Sequence, residues 1–75
     1  MTKETISYVI ASWPEEAFVV AEISAGNVAL GHVAWRPKGH ELTLYPQSEA
    51  IVLDLKELQR VLTAIRQRLV PDDAA

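Results

Sequence analysis

The stretch from Leu53-Asp-Leu-Lys-Glu-Leu58 through Leu69-Val-Pro71 decides the fold, because it reads as one amphipathic helix with both ends marked. Asp54 is placed to cap the N-terminus, Glu57 three residues on completes an acidic variant of the capping box, and Leu53 can staple against Leu58. Leu55, Leu58, Leu62, Ile65 and Leu69, with Val61 beside them, recur at spacings of three and four and so share one helical face. Arg66 and Arg68 stand in the last turn, where positive charge complements the helix dipole, and Pro71 ends the helix. The stripe spans about two heptads, short of the three or more that a coiled coil sustains. It therefore predicts a helix that faces a core.

Everything before it reads as strand. Thr5 to Ala11 alternates Ile6, Tyr8 and Ile10 against Thr5 and Ser7 and is rich in β-branched and aromatic residues. Ser12-Trp-Pro-Glu-Glu16 breaks that pattern. Ala17 to Ser24 and Val28 to Trp35 follow as two strands separated by Ala25-Gly-Asn27, and His40 to Tyr45 is a fourth after the turn at Pro37-Lys-Gly39. The expected fold is α+β: a four-stranded antiparallel meander followed by one C-terminal helix, ββββα. It forms a single small domain over residues 1–75, with an ordered core from about 5 to 70 and a polar tail at 71–75.

A slip of one residue in strand register moves a whole set of side chains to the other face, so the turns decide the faces. Placing Trp35 opposite His40 sets Val33 against Leu42 and Gly31 against Leu44, a plausible inner face. For the preceding hairpin, a three-residue loop at Ala25 to Asn27 sets Ile23 opposite Ala29, Ala21 opposite Gly31 and Val19 opposite Val33, with Asn27 in the left-handed conformation. A two-residue turn would swing Glu22 into the core, so the longer loop is expected. This register leaves Phe18, Val20, Val28, Leu30, Ala34 and Tyr45 on the outer face, with His32 among them. One helix about 10 Å wide cannot cover both faces of a sheet nearly 20 Å across. A large uncovered apolar face usually marks an interaction site, and Phe18, Val20, Val28, Leu30, His32, Ala34 and Tyr45 are the expected dimer or partner face.

Size and charge point the same way. A chain of 75 residues has a small core, and disulfides are excluded by the absence of cysteine, which leaves self-association or a permanent partner as the source of extra stability. The net charge of −3 and pI of about 5.2 disfavour a broad grip on nucleic acid, since phosphate binding rests on Lys and Arg. Two local basic patches survive, at Arg36 and Lys38 with His32 and His40, and at Arg60, Arg66 and Arg68. The Met1 start carries no signal-peptide pattern and no apolar run approaches about 18 residues, so a cytoplasmic location with no membrane association is expected.

Chemistry-bearing motifs are not evident. His32 and His40 fall on opposite faces of the proposed hairpin and cannot share a metal, there is no His-x-x-x-His spacing, and zinc needs three or four convergent ligands. Ser7, Ser12, Ser24 and Ser48 lie in no nucleophile elbow, and Gly26, Gly31 and Gly39 are too scattered to cradle a phosphate. No catalytic residue, metal or cofactor is expected, and His32 is the better placed of the two histidines to sense pH at an interface. The Trp35-Arg-Pro-Lys-Gly-His40 turn combines an aromatic with cations, so Trp35, Arg36, Lys38 and His40 could stack a base and pair a phosphate.

Four antiparallel strands followed by one helix resembles the topology of transcriptional-coactivator-type single-strand binders, a resemblance that implies dimers and nucleic-acid binding. The reading favoured by the residues is a non-enzymatic interaction module: a homodimeric adaptor, or a protein that caps or inhibits another protein. Regulation through single-stranded nucleic acid is the alternative.

Overall fold

The computed structural model describes residues 5–69. Four strands and one helix follow in the expected order: β1 (Ile6–Ala11), β2 (Val20–Ala25), β3 (Val28–Arg36), β4 (Gly39–Leu44) and α1 (Leu55–Arg68). The strands form one antiparallel sheet in the order β1-β2-β3-β4, so β1 and β4 are its edges. The expected C-terminal tail at 71–75 lies outside the described residues.

Asp54 caps α1, its side chain accepting from the backbone N–H of Glu57 at 2.9 Å, and the last turn closes with Leu69 N–H donating to Ile65 carbonyl oxygen. Val61, Ile65 and Leu69 bury against Ile6, Ala21, Ile23, Ala25, Leu30 and Val33, with Leu53, Leu58 and Leu62 half-buried around them. The helix therefore covers the face carrying Val33 and Ile23.

The β3–β4 register is the expected one, with Trp35 opposite His40, Val33 opposite Leu42 and Gly31 opposite Leu44. The β2–β3 hairpin departs from expectation. Ala25 pairs with Val28 across a two-residue turn at Gly26-Asn27, where Gly26, not Asn27, takes positive φ (59°). Glycine at the first turn position suits the mirror-image turns that match strand twist. Farther along, the register shifts: Ser24 is opposite Ala29, but Ile23 is opposite Gly31, which leaves Leu30 as an extra residue. This β-bulge restores the parity that the short turn would otherwise reverse. Glu22 consequently pairs with His32 on the outer face instead of entering the core.

The bulge also corrects the expected outer face. Leu30 is buried in the helix-side core, and Val28 pairs with core residue Ala25. Val20 and Ala34 do face outward as a cross-strand pair, yet they are 0% and 2% exposed. The β1–β2 connection lies across them. Trp13 donates from Nε1 to Glu22 Oε2 at 2.6 Å and packs its ring 4.5 Å from that of His32, while Glu16 is tied to Arg36 at 2.8 Å. The connection, a segment with no periodic pattern, supplies the cover that one helix could not.

Candidate functional site

Three regions collect the side chains capable of chemistry or recognition. The first is the covered outer face. Here His32 sits between Trp13 and Tyr45, its Nδ1 2.8 Å from the Tyr45 hydroxyl, with Glu22 opposite on β2. Of the expected interaction face, Val20 and Ala34 lie under this cover, Tyr45 and His32 are half-buried within it, and Leu30 belongs to the core. Phe18 is 42% exposed and stands edge-on to Trp35 with ring centroids 5.0 Å apart, and Val28 is 41% exposed at the far end of the sheet. The seven residues do not form one apolar surface.

The second region is the β3–β4 turn. Gly39 takes φ 142°, a conformation that side-chain-bearing residues rarely adopt. Trp35 is half-buried against Phe18. Arg36 is held by Glu16 and by Glu41, whose Oε1 lies 3.2 Å from its Nε. The bond from Arg36 draws the Glu16 carboxyl below its ordinary 4.5, and Glu16 in return raises the Arg36 guanidinium. His40 points to the other face, where its Nε2 lies 2.9 Å from the Leu69 carbonyl oxygen. With that oxygen as acceptor, Nε2 carries the proton. Beside it, Thr63, Arg66 and Gln67 line an open hollow of about 300 Å³. Among the described residues, no three His, Cys, Asp or Glu side chains are grouped to hold a metal ion, and no helix is long and apolar enough to cross a membrane.

The third region lies on the helix side of β4, and sequence reasoning treated it as core. The helix crosses the sheet diagonally. Near its start, Glu57 Oε1 accepts the Ile6 N–H on β1 at 2.7 Å, and just past its end the Leu69 carbonyl meets His40 on β4 at the opposite end of the sheet. The corner holding Leu44 and, next to it, Leu42 is left open, and these side chains are 68% and 48% exposed. Their apolar character was legible. Their exposure depends on the helix crossing angle, which no residue pattern encodes.

The two sheet edges are treated differently. Gly26 N–H donates to the Thr5 carbonyl, which fixes Ser7, Val9 and Ala11 as the β1 residues bonded to β2 and turns the N–H groups of Ile6, Tyr8 and Ile10 outward. The Ile6 donor is capped by Glu57, and Arg68 reaches over the ring of Tyr8, donating to its hydroxyl at 3.4 Å. On β4, Tyr45 N–H donates to the Leu30 carbonyl, so Thr43, Glu41 and Gly39 bond to β3 while His40, Leu42 and Leu44 turn their N–H and C=O groups outward. Among the described residues, no side chain caps the outward groups of Leu42 or Leu44. Comparison with known proteins finds no family model, no curated protein and no solved structure that matches this chain.

Proposed function

We propose that the protein is a non-catalytic interaction module that acts as a homodimer, in the manner of an adaptor or a partner-capping protein. The observation that supports this is the open corner of β4, where Leu42 and Leu44 expose apolar side chains and no side chain among the described residues caps their outward backbone groups. Native chains usually blunt such edges with charged side chains, proline or a bulge; Gly39–Leu44 contains no lysine, proline or bulge, and its one acid, Glu41, lies on the face away from Leu42 and Leu44. On the outer face, by contrast, Val20 and Ala34 are buried beneath the β1–β2 connection, and the exposed Val9 stands on β1, where it pairs with Glu22. Nucleic-acid binding draws less support, because Arg36 is held by two carboxylates and His40 by the Leu69 carbonyl, which leaves Lys38 to supply charge at the turn.

Light scattering over a dilution series tests the proposal. The expected result is a mass near twice 8.3 kDa. Leu44→Asp lowers it to that of one chain. Val9→Asp, at an exposed position on the outer face of β1, leaves the dimer intact. A mass of one chain at every concentration overturns self-association.

A further inference from the structure

Among the described residues the edge of β4 is open, and its donor pattern points to the strand that could pair with it. We infer that two copies pair β4 to β4 in antiparallel fashion with Leu42 opposite Leu42 of the second copy, joining two sheets into one of eight strands. The inference rests on the homodimer proposed above and adds the strand pairing, its register and its bonds.

The outward backbone groups belong to His40, Leu42 and Leu44, so any strand added here must bond at those positions. A two-fold axis allows few registers. Centred on Leu42, it bonds Leu42 to its own copy and His40 to Leu44 in both directions, using every outward N–H and C=O on the strand. Centred on Glu41, it places two carboxylates directly opposite each other, which is unfavourable. Centred on Thr43, it sets His40 against Pro46, which has no N–H to give. The Leu42-centred register puts Glu41 opposite Thr43, so no like charges meet. The charge pattern and the donor pattern select the same alignment.

Side-chain direction agrees. Residues directly opposite in an antiparallel pair point to one face, so Leu42 and Leu44 of both copies gather on the helix side. Both helices then flank a shared apolar strip, and the two side chains left open in one chain, 48% and 68% exposed, become mutual cover. The interface is isologous and closes on itself. At the opposite edge Glu57 already occupies the Ile6 donor, so a strand added to β1 would lose the bond at that position, whereas none of the outward donors of β4 is capped by a side chain among the described residues.

The test modifies the backbone alone. N-methylation of Leu42 in the chemically synthesised full chain removes an outward donor and leaves every bond to β3 in place, while N-methylation of Tyr8 does the same at the other edge. The expected result is a one-chain mass for the first and an unchanged dimer for the second, with both retaining the circular dichroism of the parent. A second measurement fixes the register and does not depend on the methylated chain folding. The chain has no cysteine, so Leu42→Cys introduces a single thiol. Bonded antiparallel pairs hold their Cα atoms about 5.5 Å apart, within disulfide range, and Leu42→Cys is expected to oxidise to a covalent dimer. Leu44→Cys places its two thiols four residues apart along the strands, about 13 Å, and stays reduced. A parent dimer that persists with N-methyl-Leu42, or cross-links through Leu44→Cys and not Leu42→Cys, overturns the edge pairing and leaves self-association through another surface standing. A parent that is monomeric at every concentration overturns both.

Discussion

Glu57 joins the helix to the sheet through both its backbone and its side chain. Its N–H donates to Asp54 Oδ2 at 2.9 Å, and its carboxylate accepts the N–H of Ile6, a residue only 5% exposed, at 2.7 Å. A hydrogen bond to a charged group contributes about 1.5–3 kcal/mol, and leaving a buried donor unsatisfied costs a similar amount. Glu57→Ala should therefore destabilise the fold by about 1.5–3 kcal/mol, read as a lower urea midpoint at constant slope. Glu57→Gln retains an acceptor of the same reach and should cost less than half of that. A midpoint equally lowered by both would mean that the charge, through the helix dipole, matters more than the bond to Ile6. The helical role of Glu57 was legible from its spacing to Asp54. Its contact with Ile6 was not, because 51 residues separate the partners and the contact exists only once the first turn of the helix reaches β1.

At the scale of elements, the β2–β3 hairpin shows how a local irregularity sets global faces. The turn at Gly26-Asn27 is one residue shorter than the pattern of apolar positions demands, and the extra residue at Leu30 makes up the difference. Beside that bulge, Gly31 meets the backbone of β4 so closely that an added Cβ would collide with the Thr43 carbonyl oxygen. Its φ is not positive, so the demand is for space and not for conformational freedom. Gly31→Ala should force β3 and β4 apart and destabilise the fold by about 1–3 kcal/mol, the usual cost of overpacking. Gly26→Ala, at a turn tip with positive φ, strains the backbone of the β2–β3 turn and leaves the β3–β4 register unchanged. Amide exchange separates the two, since only Gly31→Ala should speed exchange at Thr43 and Glu41. The helix, the four strands and the β3–β4 register were readable because periodicity and turn residues report on local structure. The bulge was hidden because Ala29, Leu30 and Gly31 carry no signal that distinguishes a regular strand from one with a residue to spare. The cover over Val20 and Ala34 was hidden for a related reason: Ser12 to Val19 has no period, and Trp13 finds Glu22 and His32 only in three dimensions.

For the whole molecule, shape and stability are linked. A compact chain of this length has a radius of gyration of about 11 Å, whereas this one measures 13.0 Å with extents of 44 × 25 × 19 Å. A single helix laid diagonally on a sheet it does not fill leaves a small core to offset the chain entropy. A second copy on β4 completes that core, so folding and association should be coupled, and the thermal midpoint should then depend on concentration. Each tenfold rise contributes about 1.4 kcal/mol per dimer, and unfolding two such chains carries about 0.3 kcal/mol per kelvin of entropy, so the midpoint should climb by roughly 4 °C per tenfold. Leu44→Asp, which removes the shared apolar strip but no contact within the core, should abolish that slope and melt at one temperature throughout. A flat midpoint in the parent would mean that the diagonal helix and its small core suffice alone, and that the open corner at Leu42 and Leu44 is held ready for a different protein.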